Sequence, residues 1–447
     1  MSARQTREDR GRGRVVVIGL SATHERRKAA QLLSRLVVAL ASPSVSAVWI
    51  RALMRLRGLV TSHIRTHAEE VRSIIVIRPD AIGDLVMTGP FLRELRRAYP
   101  KAKISLIVGP DTANLVETCP HIDRVLTNRV LTDRLPPLTR WWHPMSRRFV
   151  ALSFARRHLW PARYDMAIVP RWGEDIYDAS ILAMLSGAPC RVGYSARRPT
   201  KNGAYDRFYT LVIDDRSVRH EVERNLHLLS ELRTDVYDDA LELWLSDEDE
   251  RVASRALAST GAEALVALSP GAGSPRRIWP IQGYVQVGNW LVDRGARLVV
   301  VGGPGDEGWG EELRRIGGDV IDLTNRTTVR ETAAVLARCS LFCGSDSGPM
   351  HLAAAVGVPI VEVSCHPVSG DDLHPNSPKR FGPWGVPNRV VQPEAPKDDC
   401  AAGCRFEVPH CILNIRVDSV IGAIESLMVE KGRRQWADRC IPDRLSS

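Results

Sequence analysis

The sequence lacks any apolar run long enough to cross a bilayer as a helix. Near the N-terminus the longest uncharged stretch, residues 36–50, has 15 residues with Pro43 in its middle, whereas a spanning helix needs about 20. Arg and Lys recur on both sides of this stretch, which does not match the order of a signal peptide. We therefore expect a cytoplasmic protein, with any contact at the inner membrane peripheral.

A disulfide framework is also missing. Nine cysteines are scattered through 447 residues, and an odd, unpatterned set favours a reducing compartment. Cys400, Cys404 and Cys411, with the adjacent His410, offer enough ligands for zinc, but their spacing is not that of a zinc knuckle. We expect loop-packed thiols and no metal, although this segment leaves the question open.

Basic charge is confined to one end of the chain. Residues 1–72 carry 14 Lys/Arg against 5 Asp/Glu, and the other residues carry 47 of each, so the net charge of +9 belongs to the head segment. A neutral body does not favour nucleic-acid binding. We interpret residues 1–72 as a basic N-terminal extension that is either disordered or attached to anionic lipid at a membrane surface.

Acidic residues are absent from residues 134–164, which hold seven arginines and six aromatic residues. Such a patch could grip a phosphorylated or acidic glycolipid headgroup. The alternative is a solvated basic helix whose aromatic side chains are packed inward. The candidate acceptor-binding residues here are Arg147, Arg148 and Arg156.

Short apolar strands alternate with helical patterns from residue 73 onward, which predicts parallel doubly wound sheets of an α/β protein. We predict one domain over residues 73–255, a second over 256–430 and a C-terminal tail over 431–447. Residues 85–99 have helical spacing, and residues 367–411 are rich in Pro and Gly and are predicted to be irregular. A cleft between two Rossmann-like halves follows from this order.

Three strand-end loops in the second half carry groups suited to a nucleotide diphosphate. Gly271, Gly273 and Ser274 offer backbone N–H groups beside Arg277, whose guanidinium can neutralise phosphate. Asp306 follows the next strand, where a carboxylate can accept bonds from ribose hydroxyls. Each loop alone is also typical of an ordinary connector, and their recurrence at successive strand ends is the stronger signal.

The third of these loops is the most informative. Residues 341–363 read as a strand, a Gly/Ser/Asp turn, an Ala-rich helix and a second strand. A helix that begins at the carboxyl end of a parallel strand points N–H groups into the crevice, where they suit a phosphate. The residues of this turn that are candidates for binding the nucleotide diphosphate are Asp346, Ser347, Gly348 and His351.

In the first half, the loop after the first strand ends with Gly83 and Asp84 at a helix start. Asp84 is a candidate general base for an acceptor hydroxyl, and Asp80 is its competitor. A purely structural alternative is that Asp84 caps the helix, which is worth about 1 kcal/mol. No compact GxGxxG follows this strand, which argues against a dinucleotide-dependent oxidoreductase.

Together these motifs resemble glycosyltransferase family 9, the ADP-heptose:lipopolysaccharide heptosyltransferase group. The resemblance implies a GT-B fold, inverting transfer from a nucleotide-activated sugar such as ADP-heptose to a lipopolysaccharide-core glycolipid, and no required cofactor or metal. It also implies that Asp84 is the base, that Arg277 binds phosphate and that Asp306 binds ribose. The stretches that carry it are residues 74–99 (with RPDAIGDLVMTG), 269–290 (with SPGAGSPRRIWP) and 343–363 (with GSDSGPMHLAAAVGVP).

Three departures from the best-known heptosyltransferases affect what can be expected. Arg277 replaces a lysine and Asp306 replaces a glutamate, which keeps charge and bonding type. Residues 79–81 replace small or hydroxyl residues in the loop that faces the reaction centre. The identities of the donor and acceptor sugars therefore do not follow from the resemblance. A nucleotide-sugar epimerase on the same fold, a family-9-like enzyme with another donor sugar and a non-catalytic binding role are the alternatives.

Overall fold

Two six-stranded parallel sheets form the centre of the protein. The computed structural model describes residues 70–127, 150–195, 205–258, 264–316, 320–397, 400, 404 and 406–430. Residues 1–69 of the predicted head segment, most of the Arg-rich patch and the C-terminal tail lie outside these residues. Within the described chain, no helix combines the length and the apolar character that crossing a membrane requires.

The first sheet is built from runs of β-branched and aliphatic residues that are buried on both faces, as in other parallel sheets. Its strand order is β3-β2-β1-β4-β5-β6. The strands are β1 Ser73–Ile77, β2 Lys103–Val108, β3 Arg124–Thr127, β4 Met166–Val169, β5 Cys190–Tyr194 and β6 Leu211–Ile213.

The second sheet repeats this topology, with strand order β12-β11-β10-β7-β8-β9. Its last strand corrects the prediction that residues 367–411 are irregular: a strand there adds to the sheet edge through Asn388 opposite Ile360. Proline and glycine around this four-residue strand hide it from sequence patterns. The strands are β7 Leu265–Ser269, β8 Arg297–Val300, β9 Val320–Asp322, β10 Leu341–Ser345, β11 Ile360–Val363 and β12 Asn388–Val391.

Helices cover the sheets, and the helix predicted over residues 85–99 is divided in two. Gly89 and Pro90 begin a new helix there, because proline lacks the N–H that a continuous helix needs. The helices are α1 Ile82–Val86, α2 Gly89–Ala98, α3 Ala113–Val116, α4 Ala179–Leu185, α5 Glu221–Glu231, α6 Asp247–Ala256, α7 Ile281–Val292, α8 Glu307–Arg314, α9 Val329–Leu336, α10 Gly348–Ala355, α11 Pro378–Phe381 and α12 Val417–Glu430.

Each sheet reverses its strand order beside its first strand, at β1/β4 and at β7/β10. In open α/β sheets the crevice at this point, outside the carboxyl ends of the strands, is where ligands bind. The loops after β1 and β4 meet at one crevice, and those after β7 and β10 meet at the other. All the motifs predicted to carry chemistry, except the Arg-rich patch, follow strands at or next to these two points.

The two halves are joined by buried polar contacts. Arg330 at the start of α9 donates from Nε to Asp249 Oδ2 on α6 (3.0 Å) and from Nη1 to the Asn114 carbonyl on α3 (3.0 Å). His220 Nδ1 accepts from the Val222 N–H, so its Nε2 is protonated and donates to the Gly382 carbonyl (3.0 Å). Helix α6 was predicted to end the first half, and it lies against α9 of the second.

Replacing Arg330 with Ala should lower the free energy of unfolding by about 1–3 kcal/mol, because the change leaves the buried Asp249 carboxylate without its cation. Urea denaturation measures the effect. The matched control is Arg251→Ala on α6, whose ion pair with Glu248 is largely exposed and should be worth less than about 1 kcal/mol. Equal effects in the two variants would contradict a structural role for the Arg330 contacts.

Candidate active site

Arg78 lies at the centre of the first crevice, and its side chain is fully buried just beyond the end of β1. One guanidinium nitrogen, Nη2, donates to Asp84 Oδ1 (3.1 Å) and to Glu221 Oε1 (3.3 Å). Nε lies 3.6 Å from Asp80 Oδ2, and Nη1 donates to the Pro170 carbonyl after β4. A buried cation needs such partners, so Arg78 gathers three carboxylates at the switch point of the sheet.

Asp84 is the carboxylate of this group that reaches the crevice. Its side chain is 26% exposed, whereas those of Asp80 and Glu221 are 5% and 2% exposed. Burial raises the pKa of Asp84 to about 6, against the opposing effect of Arg78. Asp80 accepts a 2.6 Å bond from Arg171 Nε, so it is already engaged on both sides. The geometry therefore favours Asp84 over Asp80 as a proton acceptor.

The glycine beside Asp84 touches the other half of the molecule. A Cβ added to Gly83 would lie 2.3 Å from Cδ2 of His351 on α10, and one added to Gly348 would lie 3.1 Å from Ile82 Cβ. Only residues without a side chain at these two positions allow α1 and α10 to approach so closely. The predicted base and the predicted diphosphate turn therefore lie next to each other.

An arginine and a histidine flank a buried carboxylate at that turn. Arg277 Nη1 donates to Asp346 Oδ2 (3.2 Å), and His351 Nε2 lies 3.8 Å from Asp346 Oδ1. Burial acts to raise the pKa of Asp346, but Arg277 and His351 outweigh it and lower that pKa. Asp346 thus orients two cationic or hydrogen-bonding groups beside the helix start.

The N-cap side chain of α10 makes no capping bond to the first turn of that helix. Ser347 occupies the N-cap position, but its hydroxyl donates to the Ser345 carbonyl (3.2 Å) and makes no bond to the N–H groups of the first turn. Ser345 itself is held by Tyr284 and by the Pro270 carbonyl. An uncapped helix start with a positive dipole end is a site for an anion.

Asp306 lies over the glycine loop of the same crevice. A Cβ on Gly271 would come within 2.2 Å of Asp306 Oδ1, and one on Gly302 within 2.7 Å of Oδ2. Asp306 Oδ2 accepts the Gly303 N–H (2.9 Å). At the mouth of the loop, Gly273 is exposed, Ser274 is half-buried and the Arg277 guanidinium lies 3.2 Å from a Cβ built on Gly273. The predicted donor residues thus converge on one crevice.

Sequence reasoning missed three residues that organise the site. Besides Arg78, these are Glu221, at the start of α5, and Arg380, which donates from Nη2 to Glu221 Oε2 (3.5 Å) from the opposite half. The guanidinium of Arg380 lies 4.6 Å from the ring centroid of Trp172. A charged residue directly after the buried run of β1 is a usable signal for Arg78. Arg380 has no such signal, since it lies in a segment predicted to be irregular.

Of the three arginines predicted to bind the acceptor, the structure describes Arg156. Arg147 and Arg148 lie outside the described residues. Arg156 is exposed in a π-helix, Ala155–Leu159, that leads toward the N-terminal edge of β4, whereas Asp84 lies at the carboxyl edge of the sheet. Its part in acceptor binding stays a prediction.

Comparison with known proteins agrees with this geometry. The sequence profile of glycosyltransferase family 9 (heptosyltransferase) matches residues 153–407, more than half of the chain. The chain belongs to glycosyltransferase family 9. This membership confirms the family that the three motifs predicted and makes the protein a glycosyltransferase.

Named relatives of this family-9 glycosyltransferase cover most of its length at low identity. The lipopolysaccharide core heptosyltransferase OpsX of Haemophilus influenzae is 20% identical over 80% of this chain and 98% of its own. A family-9 glycosyltransferase structure from Veillonella parvula has a TM-score of 0.64, with 23% identity over 80% of this chain and 98% of that chain. The structure of the Escherichia coli ADP-heptose lps heptosyltransferase II has a TM-score of 0.59, with 20% identity over 80% and 99%. The likeness confirms the predicted GT-B fold.

Ionisation of Asp84 should lower the free energy of unfolding of this glycosyltransferase. Its pKa is about 6 in the fold and 3.8 as the ordinary value, so the folded state binds the proton more tightly. The cost is therefore absent below pH 4 and complete above pH 6. Asp84→Asn keeps the acceptor oxygen for Arg78 and removes the charge, so at pH 7.5 it should raise the free energy of unfolding by about 1–3 kcal/mol.

Urea unfolding at pH 7.5 and pH 4 checks this expectation. The gain should vanish at pH 4, and the exposed control Asp239→Asn should change stability by less than about 0.5 kcal/mol at either pH. A variant that is less stable than the natural protein at pH 7.5 would show that Asp84 is not held at an energetic cost.

Proposed function

We propose that this protein transfers heptose, with inversion, from ADP-heptose to a lipopolysaccharide-core glycolipid. The observation that carries the proposal is the contact of Gly83 with His351, which brings the Asp84 carboxylate beside the open start of α10. The names of the relatives, a lipopolysaccharide core heptosyltransferase and an ADP-heptose lps heptosyltransferase, support the donor and the acceptor.

The second half is proposed to hold the donor. Arg277, the N–H groups of Gly271, Gly273 and Ser274, and the start of α10 at Ser347 and Gly348 would bind the diphosphate. Asp306 would accept bonds from the ribose hydroxyls. His351 and Asp346 would lie where the sugar meets the diphosphate, so they would orient the anomeric carbon.

The first half is proposed to hold the acceptor and to start the reaction. Asp84 removes the proton of the acceptor hydroxyl as its oxygen forms a bond to the anomeric carbon. The bond from that carbon to the diphosphate oxygen breaks on the opposite face, and its electron pair leaves with ADP. Arg277 and the helix start stabilise the charge that develops on the leaving group.

The remaining assignments extend the same proposal. The acceptor domain would comprise residues 73–255 and the donor domain residues 256–430. The Arg-rich stretch with Arg147, Arg148 and Arg156, together with the basic head, would bring the enzyme to the inner membrane, where its glycolipid acceptor lies. Asp80 would support the acceptor side indirectly, since Arg171 and Arg78 hold it.

Replacing Asp84 with Ala should reduce turnover by at least about a hundredfold, the scale of general-base catalysis, while ADP binding stays unchanged. In the natural enzyme, kcat/KM should fall about tenfold per pH unit below pH 6, because protonated Asp84 cannot act as a base. Transfer from labelled donor to acceptor and calorimetry with ADP measure the two effects. Wild-type turnover in the variant would remove Asp84 from the proposal.

Replacing Arg277 with Ala should weaken ADP binding by about ten- to a hundredfold, since a charge-assisted contact to phosphate is worth about 1.5–3 kcal/mol. Arg277→Lys should keep part of the affinity because the charge remains. Arg314→Ala, on the far end of α8, is the matched control and should bind ADP normally. An unchanged affinity of Arg277→Ala for ADP would show that the diphosphate does not bind at this loop.

A further inference from the structure

Glu221 lies where the two halves of the protein meet, and both of its carboxylate oxygens are engaged there. Its side chain is buried. Oε1 accepts from Arg78 Nη2 (3.3 Å) within the first half, and Oε2 accepts from Arg380 Nη2 (3.5 Å), which the second half supplies. Glu221 therefore joins the cation beside Asp84 to a cation of the other half.

The first turn of α5, which begins with this residue, is held on both sides. Just before the helix, His220 donates from Nε2 to the Gly382 carbonyl of the second half (3.0 Å). One turn further on, Asn225 Nδ2 donates to the carbonyl of Met87 (3.1 Å), the C-cap residue of α1. The start of α5 is thus fixed both against the second half and against the helix that carries Asp84.

Arg78 links the position of Glu221 to that of Asp84. A single nitrogen, Arg78 Nη2, donates to Asp84 Oδ1 (3.1 Å) and to Glu221 Oε1 (3.3 Å), and its two hydrogens can serve one carboxylate each. The two oxygens are therefore no more than about 6.4 Å apart. Because a guanidinium is planar and rigid, a shift of Glu221 moves the donor that holds Asp84.

We propose that Glu221 is a positioning residue of the transfer reaction, which orients Asp84 through Arg78, and that Arg380 of the second half fixes Glu221 in turn. The inference rests on the proposed function, because it takes Asp84 as the base. Glu221 and Arg380 touch no reacting atom in it. They determine how the base is held, and they make its orientation depend on the docking of the two halves.

The charge of Glu221 also acts on the base. Burial raises the pKa of Asp84, Arg78 opposes that effect, and the neighbouring carboxylates add to it. Removing the charge of Glu221 should therefore lower the pKa of Asp84. The charged or titratable groups on the elements around Asp84 are Arg78, Asp80, Arg171 and Glu221, with His351 of α10 against Gly83 and the exposed Asp111 of the 3₁₀ turn Pro110–Thr112, which packs on α1.

The pH profile of kcat/KM in Glu221→Gln tests the proposal, since glutamine keeps the shape of the side chain and removes its charge. The fall of kcat/KM at low pH should move to lower pH by about 0.5 unit or more, as expected for like charges about 6 Å apart. Turnover above pH 7 should drop by about two- to tenfold, because Asp84 becomes a weaker base. ADP affinity, measured by calorimetry, should stay unchanged.

Glu223→Gln is the matched control, on the same turn of α5. Its exposed side chain accepts the His220 N–H, which glutamine can still do, so the pH profile should keep its position. A profile of Glu221→Gln that stays in place or moves to higher pH would overturn the proposal. An inactive Asp84→Ala together with an unmoved profile in Glu221→Gln refutes this inference alone, whereas an active Asp84→Ala refutes the proposed function.

Variants of Arg380 test the other end of the same chain of contacts, also where Glu221→Gln does not fold. Arg380→Gln removes the cation that shares Glu221 with Arg78. Arg78 is then drawn toward Glu221, and the fall of kcat/KM should move to higher pH. Arg380→Lys keeps the charge and should move the profile less. Equal profiles in the natural enzyme and Arg380→Gln would contradict the part assigned to Arg380.

Urea unfolding at pH 7.5 adds a measurement that needs no turnover. Asp84→Asn should stabilise the Glu221→Gln variant less than it stabilises the natural protein, because the neighbouring negative charge is already gone. An equal gain in the two backgrounds would show that the two carboxylates are not coupled through Arg78.

Discussion

A single buried guanidinium supports the geometry on which the active site depends. Arg78 carries its charge into a fully buried position, and the carboxylates of Asp80 and Glu221, besides that of Asp84, compensate that burial. Arg171 and Arg380 complete the group, so three cations face three carboxylates. Two of the carboxylates have a second arginine each. Among the residues that the structure describes, Asp84 forms its ion pair with Arg78 and keeps an exposed edge, which suits a carboxylate that can take a proton.

The two halves use one topology for opposite tasks. Each sheet has the same strand order and opens its crevice beside its first strand, but the first crevice presents a carboxylate and the second presents a cation and the start of a helix. Glycine at the points of closest approach, Gly83 and Gly348, lets the two crevices meet. The proposed chemistry would therefore lie between the sheets, as nucleophilic attack and departure of an anion on opposite faces of one carbon require.

Much of this was predictable from the sequence, for identifiable reasons. Uninterrupted runs such as residues 74–77 fix buried parallel strands, and Gly/Pro loops after them fix the crevice edges, so Asp84, Arg277, Asp306 and Asp346 could be chosen without coordinates. Contacts between distant segments could not be predicted from the sequence. Arg380 with Glu221 and His220 with Gly382 depend on how the halves dock, and the four-residue β12 carries too little pattern to reveal its partner strand.

The cysteine loop is a second segment in which contacts of the folded protein are not apparent from the sequence. Spacing along the chain argued against a metal, because the known short motifs bring their ligands together locally. In the fold, the ligand atoms of Cys400, His410 and Cys411 lie within 4.8 Å of one another. The expectation of loop-packed thiols stays a prediction.

The most direct test of the account is a crystal structure with an unreactive ADP-heptose analogue and an acceptor bound together. The account predicts the diphosphate between Arg277 and the start of α10, an Asp84 oxygen about 2.6–3.2 Å from the acceptor hydroxyl, and that hydroxyl about 3–3.5 Å from the anomeric carbon. A complex in which the acceptor oxygen contacts another base, with Asp84 turned toward Arg78 and away from the sugar, would contradict it.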